Sequence, residues 1–278
     1  MLNNQGGDAF TDVPFFNKEF IKTNHISKAS GHFMVRKPGQ FFKNTEYVQS
    51  FLFNASGELE MQYETFPDDG TKDTSMSIYK YDQSSNLVTV RMMDPHGFNT
   101  IEYKYDSLGQ VVELKNIREA DTSDTSNTDV LGSYVLNRET YKYSYGDQNV
   151  KRTKYNSYNL PYLEENHIYN EDGYLIKIIE RQKMTSNSIE YVYEYNNKGL
   201  LASIGKSSRS SDKLLEEVLF EYDEFSNIIE KKIFRNGVFT TDVQIIYDNK
   251  TKLLSSVITK FIETDIITIL RFDDYQYY

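Results

Sequence analysis

The chain has 278 residues, a formal charge of -10, 23 tyrosines and no cysteine. The acidic balance argues against nucleic acid as a partner, because phosphate binding needs a basic patch. Without thiols there are no disulfides, thiol nucleophiles or thiolate metal sites, and no window approaches the run of about 18 apolar residues that a membrane helix requires.

Residues 1–13 are small and polar and read as disordered. From Pro14 to Ile26, Phe16 and Phe20 stand four apart behind a proline, which predicts a short helix that covers a sheet edge or plugs an opening. Gly31 to Arg36 and Glu46 to Phe53 read as strands. A repeating unit begins at Phe53, and residues 94–114, DPHGFNTIEYKYDSLGQVVEL, are its clearest copy. Pro95 and Gly97 supply turn chemistry, and Ile101, Tyr103 and Tyr105 then alternate with polar residues as in a half-buried strand. Asp106 to Gly109 form a second turn, and Val111, Val112 and Leu114 begin the return strand. One unit is a β-hairpin.

An aromatic anchor precedes each such turn: Phe53, Tyr81, Tyr105, Tyr143, Tyr169, Tyr195, Tyr222, Tyr247 and Phe272. The spacing is about 25 residues with one interval of 38, between Tyr105 and Tyr143. A fixed period of this size marks a repeat architecture. An aliphatic pair follows most anchors, as in Leu87-Val88, Leu175-Ile176 and Ile228-Ile229; the Tyr143 unit breaks the rule, with Asn149-Val150. Neighbouring strand residues point to opposite faces, so each pair implies either burial on both sides or a bulge. The long interval contains residues 119–130, EADTSDTSNTDV, which read as an exposed excursion, and a second polar run spans 67–75.

The D-P-x-G turn, the Y-x-Y-D-x-x-G strand and turn, and the aliphatic pair resemble the bacterial YD-repeat (Rhs-type) family. YKYDQSSNLV, YNEDGYLI, YEYNNKGLLA and FEYDEFSNII are looser copies. The resemblance covers roughly residues 50–275 and implies long antiparallel hairpins in one wrapped, tyrosine-rich sheet. The repeats are fewer and less even than in large members, so the chain is similar to a short, diverged one and is not expected to encapsulate a toxin. The initial residues show no signal pattern. The resemblance nonetheless implies an extracytoplasmic protein, periplasmic or on the cell surface, with its leader removed.

Nine units give about 18 strands of some 30 Å each, and open twisted sheets rarely exceed ~10 strands without curling. The expected fold is therefore all-β: one large antiparallel sheet of about nine hairpins, curled into a wide barrel or spiral shell, with a short N-terminal helix or plug. The expected division is residues 1–46 as an arm with the helix and first strand, and 47–278 as the repeat domain. The tyrosine face belongs inside. The opposite face carries Glu102, Lys104, Lys142, Glu190, Glu194 and Glu221, which does not suit a lipid-facing barrel wall.

Candidate chemistry is sparse. The doublets Asp68-Asp69, Glu164-Glu165, Glu216-Glu217 and Asp273-Asp274 place adjacent acids on opposite strand faces, a poor glycosidase pair, and read as solvated surface. His25, His32, His96 and His167 share no metal-ligand spacing, and residues 68–73 hold only part of a calcium loop. No metal, cofactor or catalytic residue is expected. Two residues before the anchors stand Tyr79, Tyr103, Tyr141, His167 and Tyr193, which form the candidate binding row. Tyrosines there can stack on sugar rings, and the resemblance implies carbohydrate association; the alternative is that they are simply sheet core. The expectation is a non-catalytic binding or scaffold module for glycan or cell-envelope material. Its rivals are a carrier of a hydrophobic ligand inside the sheet and a glycan-active enzyme whose acids converge from different repeats.

Overall fold

The structure is a computed structural model that describes residues 16–68, 71–94, 97–121, 130–185, 187–211 and 213–278. Pro14, His96, residues 1–13 and most of the 119–130 excursion lie outside these. Helix α1 (Lys18–Thr23) begins behind Asn17, whose side chain accepts the Phe20 N–H at 3.1 Å. It starts later than the proline suggested, because this asparagine caps the first turn.

Eighteen strands follow among the described residues: β1 (Ile26–Arg36), β2 (Lys43–Phe53), β3 (Leu59–Asp68), β4 (Thr71–Tyr81), β5 (Leu87–Asp94), β6 (Gly97–Tyr105), β7 (Val111–Asp121), β8 (Val130–Tyr145), β9 (Asn149–Tyr155), β10 (Pro161–Tyr169), β11 (Leu175–Gln182), β12 (Ser188–Tyr195), β13 (Leu201–Ser208), β14 (Lys213–Tyr222), β15 (Ile228–Arg235), β16 (Val238–Tyr247), β17 (Leu254–Phe261) and β18 (Ile266–Tyr277). Each pairs antiparallel with its neighbours in sequence, and β18 returns to β1 from Ile26 opposite Tyr277 to Arg36 opposite Ile267. The described strands form a closed barrel in which each has a neighbour on both sides. Strands ~4.8 Å apart, tilted about 40°, give a circumference of roughly 110 Å.

The turns explain the repeat. Asn54, Asp82, Asp106, Asn170, Asn196 and Asp223 each accept, through Oδ1, the backbone N–H groups two and four residues on. The residue three after each has positive φ; it is Gly57, Gly109, Gly173 or Gly199 in four turns and Ser85 or Ser226 in two. Asp248 heads a looser variant. These turns all lie at one end of the barrel, here the repeat end.

The question left by the aliphatic pairs resolves in favour of bulges. Tyr105 pairs with Val111 while Lys104 pairs with Glu113, so Val112 is the extra residue. The same register shift follows Phe53, Tyr81, Tyr169, Tyr195, Tyr222 and Tyr247. Two anchors need correction. β8 runs on to Tyr145, so Tyr143 lies inside the strand, and Phe272 lies within β18 with no turn after it. The Tyr143 unit breaks the pattern because the turn grammar slips by one strand. The β8–β9 link is short, with Gly146 N–H on the Asn149 carbonyl, and the side-chain-capped turn at Asn156 sits between β9 and β10 at the opposite, distal end. The excursion is also shorter than it read, since β7 and β8 extend to Asp121 and from Val130.

The tyrosine face is the inner one. Phe16 packs on Phe51, Phe53 and Phe272 at 4.9, 5.0 and 6.1 Å between ring centroids, all on that face. Lys18 reaches Glu58 at 2.7 Å and Ser85 at 3.2 Å, while α1 shares a cleft with Phe225 and Asn227 from the β14–β15 turn. A helix of six residues, about 9 Å long, touches turns so far apart in the wall only by lying across the mouth. It lies across part of the mouth at the repeat end. The outer wall is charged, with Arg91–Glu119 at 2.6 Å, Lys177–Glu190 at 3.3 Å and Lys151 and Lys183 both on Glu164 at 2.7 and 2.6 Å. A lipid-facing wall is instead apolar. Among the described residues no helix is long and apolar enough to cross a membrane.

Candidate functional site

The inner face is bound together by a ladder of phenol hydroxyls that the sequence did not reveal. Each donates to the carbonyl of the first residue of the preceding strand: Tyr81 to Leu59 at 3.0 Å, Tyr105 to Leu87 at 2.7 Å, Tyr143 to Val111 at 2.8 Å and Tyr195 to Leu175 at 2.7 Å. Tyr222, Tyr247 and Tyr275 continue it onto Leu201, Ile228 and Leu254. Burial pushes the phenols of Tyr81, Tyr195, Tyr222 and Tyr247 up to about 12. The acceptors sit at the bulges, where the ladder of strand hydrogen bonds is interrupted, so the hydroxyl satisfies a carbonyl the sheet leaves open.

Tyr79, Tyr103, Tyr141, His167 and Tyr193 lie on β4, β6, β8, β10 and β12, all on the inner face by register. Tyr193 is 5% exposed and packs among Leu175, Ile178 and Leu201. Burial raises the Tyr79 phenol. Tyr141 and His167 are brought together, through residues the sequence reading passed over.

Their meeting point is Glu165, 2% exposed. It sits opposite Arg152 across β9–β10, and Arg152 and Lys154 sit opposite Tyr143 and Tyr141 across β8–β9. Arg152 Nε donates to Glu165 Oε2 at 2.5 Å, Lys154 Nζ lies 2.6 Å from Oε1, and His167 Nε2 lies 3.0 Å from Oε2. Burial alone would raise this carboxyl, but His167, Arg152 and Lys154 together hold it well below the usual range. The solvated reading of the Glu164-Glu165 doublet therefore fails for Glu165. Glu164 does face outward, onto its two lysines.

Arg152 and Lys154 stand 5.7 and 5.8 Å from the Tyr141 ring centre, and the Tyr141 hydroxyl donates to Glu139 Oε2 at 2.8 Å. Burial and then Glu139 drive the Tyr141 and Tyr162 phenols upward. Next along the wall, Glu180 faces Glu165; its carboxyl is raised by burial and by that neighbour. Lys206 lies 5.4 Å from the Tyr191 ring centre. From β8 to β13 the wall thus presents rings, cations and carboxylates in alternation. Only the pattern K-R-x-K opposite E-E, two residues out of phase with the repeat, hinted at it in the sequence. A second inner feature is the cleft beneath α1, about 220 Å³, lined by Phe20, Ile26, Phe225, Tyr247, Leu253 and Tyr275 among others. Among the described residues no group of three His, Asp or Glu is arranged to hold a metal ion.

No family model matches the chain, and no curated protein matches it in sequence. Solved structures to which the chain is similar include a porin-like protein from Bacteroides uniformis, 11% identical, TM-score 0.43, over 90% of this chain and 97% of that one. TcdB2-TccC3 without its hypervariable C-terminal region is 11% identical, TM-score 0.29, over 80% of this chain and 15% of that one. A LolA superfamily protein from Nitrosomonas europaea is 9% identical, TM-score 0.25, over 94% and 91%. Similarity at this level assigns neither family nor function.

Proposed function

We propose that this barrel is a non-catalytic, extracytoplasmic binding module of YD-repeat type whose inner wall between β8 and β13 holds a polyhydroxylated guest, a glycan or cell-envelope fragment. The supporting observation is the alternation of Tyr141 and Tyr191 with Arg152, Lys154, Lys206 and Glu139 on one enclosed face. Ring faces suit the apolar side of a sugar, and flanking charges exchange hydrogen bonds with its hydroxyls. Binding is favoured over catalysis because the most buried acid, Glu165, is already engaged by Arg152, Lys154 and His167 and has no ready proton to give.

A glycan array probed with the whole chain tests this, together with chromatography of the recovered sugar. Retention of intact sugar is expected, and Tyr141→Ala should weaken it about tenfold. The apolar cleft beneath α1 favours a second reading, carriage of a hydrophobic ligand. Co-purified lipid in native mass spectrometry, with no retention on the array, would decide for that carrier; release of cleaved product would defeat both.

A further inference from the structure

β8 overruns one of its two neighbours. It extends from Val130 to Tyr145, but β9 pairs only with Thr140 to Tyr145. Just beyond, the β9–β10 turn reaches Arg138, whose N–H donates to the Ser157 oxygen at 2.9 Å and whose carbonyl accepts the Ser157 hydroxyl at 3.2 Å. From Gly132 to Asn137 the strand is held by β7 on one side, and its other side makes no backbone hydrogen bond among the described residues. This open edge is apolar. Tyr134, Val135 and Leu136 are 60, 55 and 52% exposed, and Tyr158 and Leu160 are exposed on the adjoining turn. Edge strands are ordinarily blunted by charge or proline, yet residues 130–137, VLGSYVLN, carry neither. The other overruns differ. β2 satisfies the N–H groups of Tyr47 and Val48 with the Thr45 and Thr65 hydroxyl oxygens, and β4 bears Lys72 and Asp73 where it passes β5.

We propose that this edge pairs antiparallel with the same edge of a second copy, so that two barrels share strands across a two-fold axis. A row of open N–H and C=O groups is complementary to another strand, which an apolar patch alone is not. The second copy is the fitting strand because the stretch is uncharged. It brings no like charges face to face, although the chain as a whole carries -10 and repels its copies elsewhere. A two-fold axis near Val135 sets Tyr134 of each copy beside Leu136 of the other, a ring against an aliphatic side chain. Tyr158 and Leu160 widen the contact, and a notch of about 370 Å³ lined by Asn137, Glu139, Asn156 and Tyr162 leaves room for the end of the entering strand. Covering the five apolar side chains on both copies removes on the order of 1,000 Å² from water, which suits a weak, reversible dimer. The proposal does not rest on the glycan reading.

Sedimentation velocity of the whole chain over a concentration series tests it, together with hydrogen exchange. A monomer–dimer equilibrium in the micromolar range is expected, and added salt should strengthen it by screening two acidic chains. Amides of residues 132–137 should gain protection only as the dimer forms. Tyr134→Lys/Leu136→Lys changes exposed positions to the charge that blunts natural edges. It should weaken the dimer about tenfold or more and leave the melting of the dilute protein unchanged, whereas Leu108→Lys at the repeat end should have no effect. A chain that stays monomeric throughout, with salt added, overturns the inference and leaves the edge to a foreign strand. A dimer that forms without added protection of residues 132–137, or that the double variant leaves intact, overturns it as well. So does full protection in the dilute monomer, because a segment of the same chain would then cover the edge.

Discussion

A phenol can cap a carbonyl only while it keeps its proton. Of the ladder phenols, those of Tyr81, Tyr195, Tyr222 and Tyr247 are raised from about 10 to about 12 in the folded chain. Their contribution is therefore complete below pH 10 and is lost as pH rises from 10 towards 12. Tyr195→Phe should cost about 1 kcal/mol at neutral pH and flatten part of the alkaline fall, whereas Tyr195→Ala should cost about 3 to 5 kcal/mol. Urea melts from pH 7 to 11 separate the two; an alkaline limb unchanged in Tyr195→Phe would show that the hydroxyl contributes nothing. Glu165 has the opposite sign. Its folded carboxyl is depressed below the ordinary 4.5, so its contribution is present above that pH and is lost as acid takes it lower. Glu165→Gln leaves Arg152 and Lys154 without their shared counter-charge and should cost roughly 3 kcal/mol, with a shallower acid limb than wild type. At this scale the sequence was a partial guide. The tyrosines announced an inner face through their alternation, but a hydroxyl's partner one hairpin away depends on a bulge that the letters leave ambiguous. Glu165 was hidden because its three partners come from two strands of the one unit that breaks the rhythm.

At the scale of the hairpin, side-chain-capped turns set the period. At the repeat end an Asn or Asp heads six of them in the regular form, and the left-handed position three residues later takes glycine in four and serine in two. A serine there carries a conformational cost that glycine avoids. Ser226→Gly should therefore stabilise by about 0.5 to 1 kcal/mol in a thermal or denaturant melt, a gain that a destabilised variant would contradict. This motif was the most readable part of the chain, since asparagine, aspartate and glycine each act within four residues of themselves. The slip at Asn156 was not readable in the same way. Which end of the barrel a turn occupies depends on how many strands precede it, and the short link after Tyr145 carries little turn signal of its own. The helix was foreseen through Phe16 and Phe20, and the choice between plug and edge cover awaited the contacts of Lys18 with Glu58 and Ser85.

For the whole molecule, strand count argued for curling but not for closure, because closure rests on pairing between residues more than two hundred apart in sequence. That seam is β1 with β18, fastened by the Tyr278 N–H on the His25 carbonyl at 2.8 Å and reinforced by the Tyr278 hydroxyl, which reaches past β1 to the Phe53 carbonyl at the end of β2. Deleting residues 275–278 should lower the melting temperature and bare a strand edge that promotes self-association, visible as early elution on a sizing column. A monomeric variant with wild-type melting would mean the seam needs no such fastening.

The seam also constrains how such a chain can lengthen or shorten over generations. In an open stack a unit can be gained or lost at either end with little effect elsewhere. Here each added pair of strands must be inserted into a ring, widening its girth by ~12 Å and loosening the fit of the helix across the mouth. Duplication is thus tied to compensation in residues 16–23, and the two regions should change together or not at all.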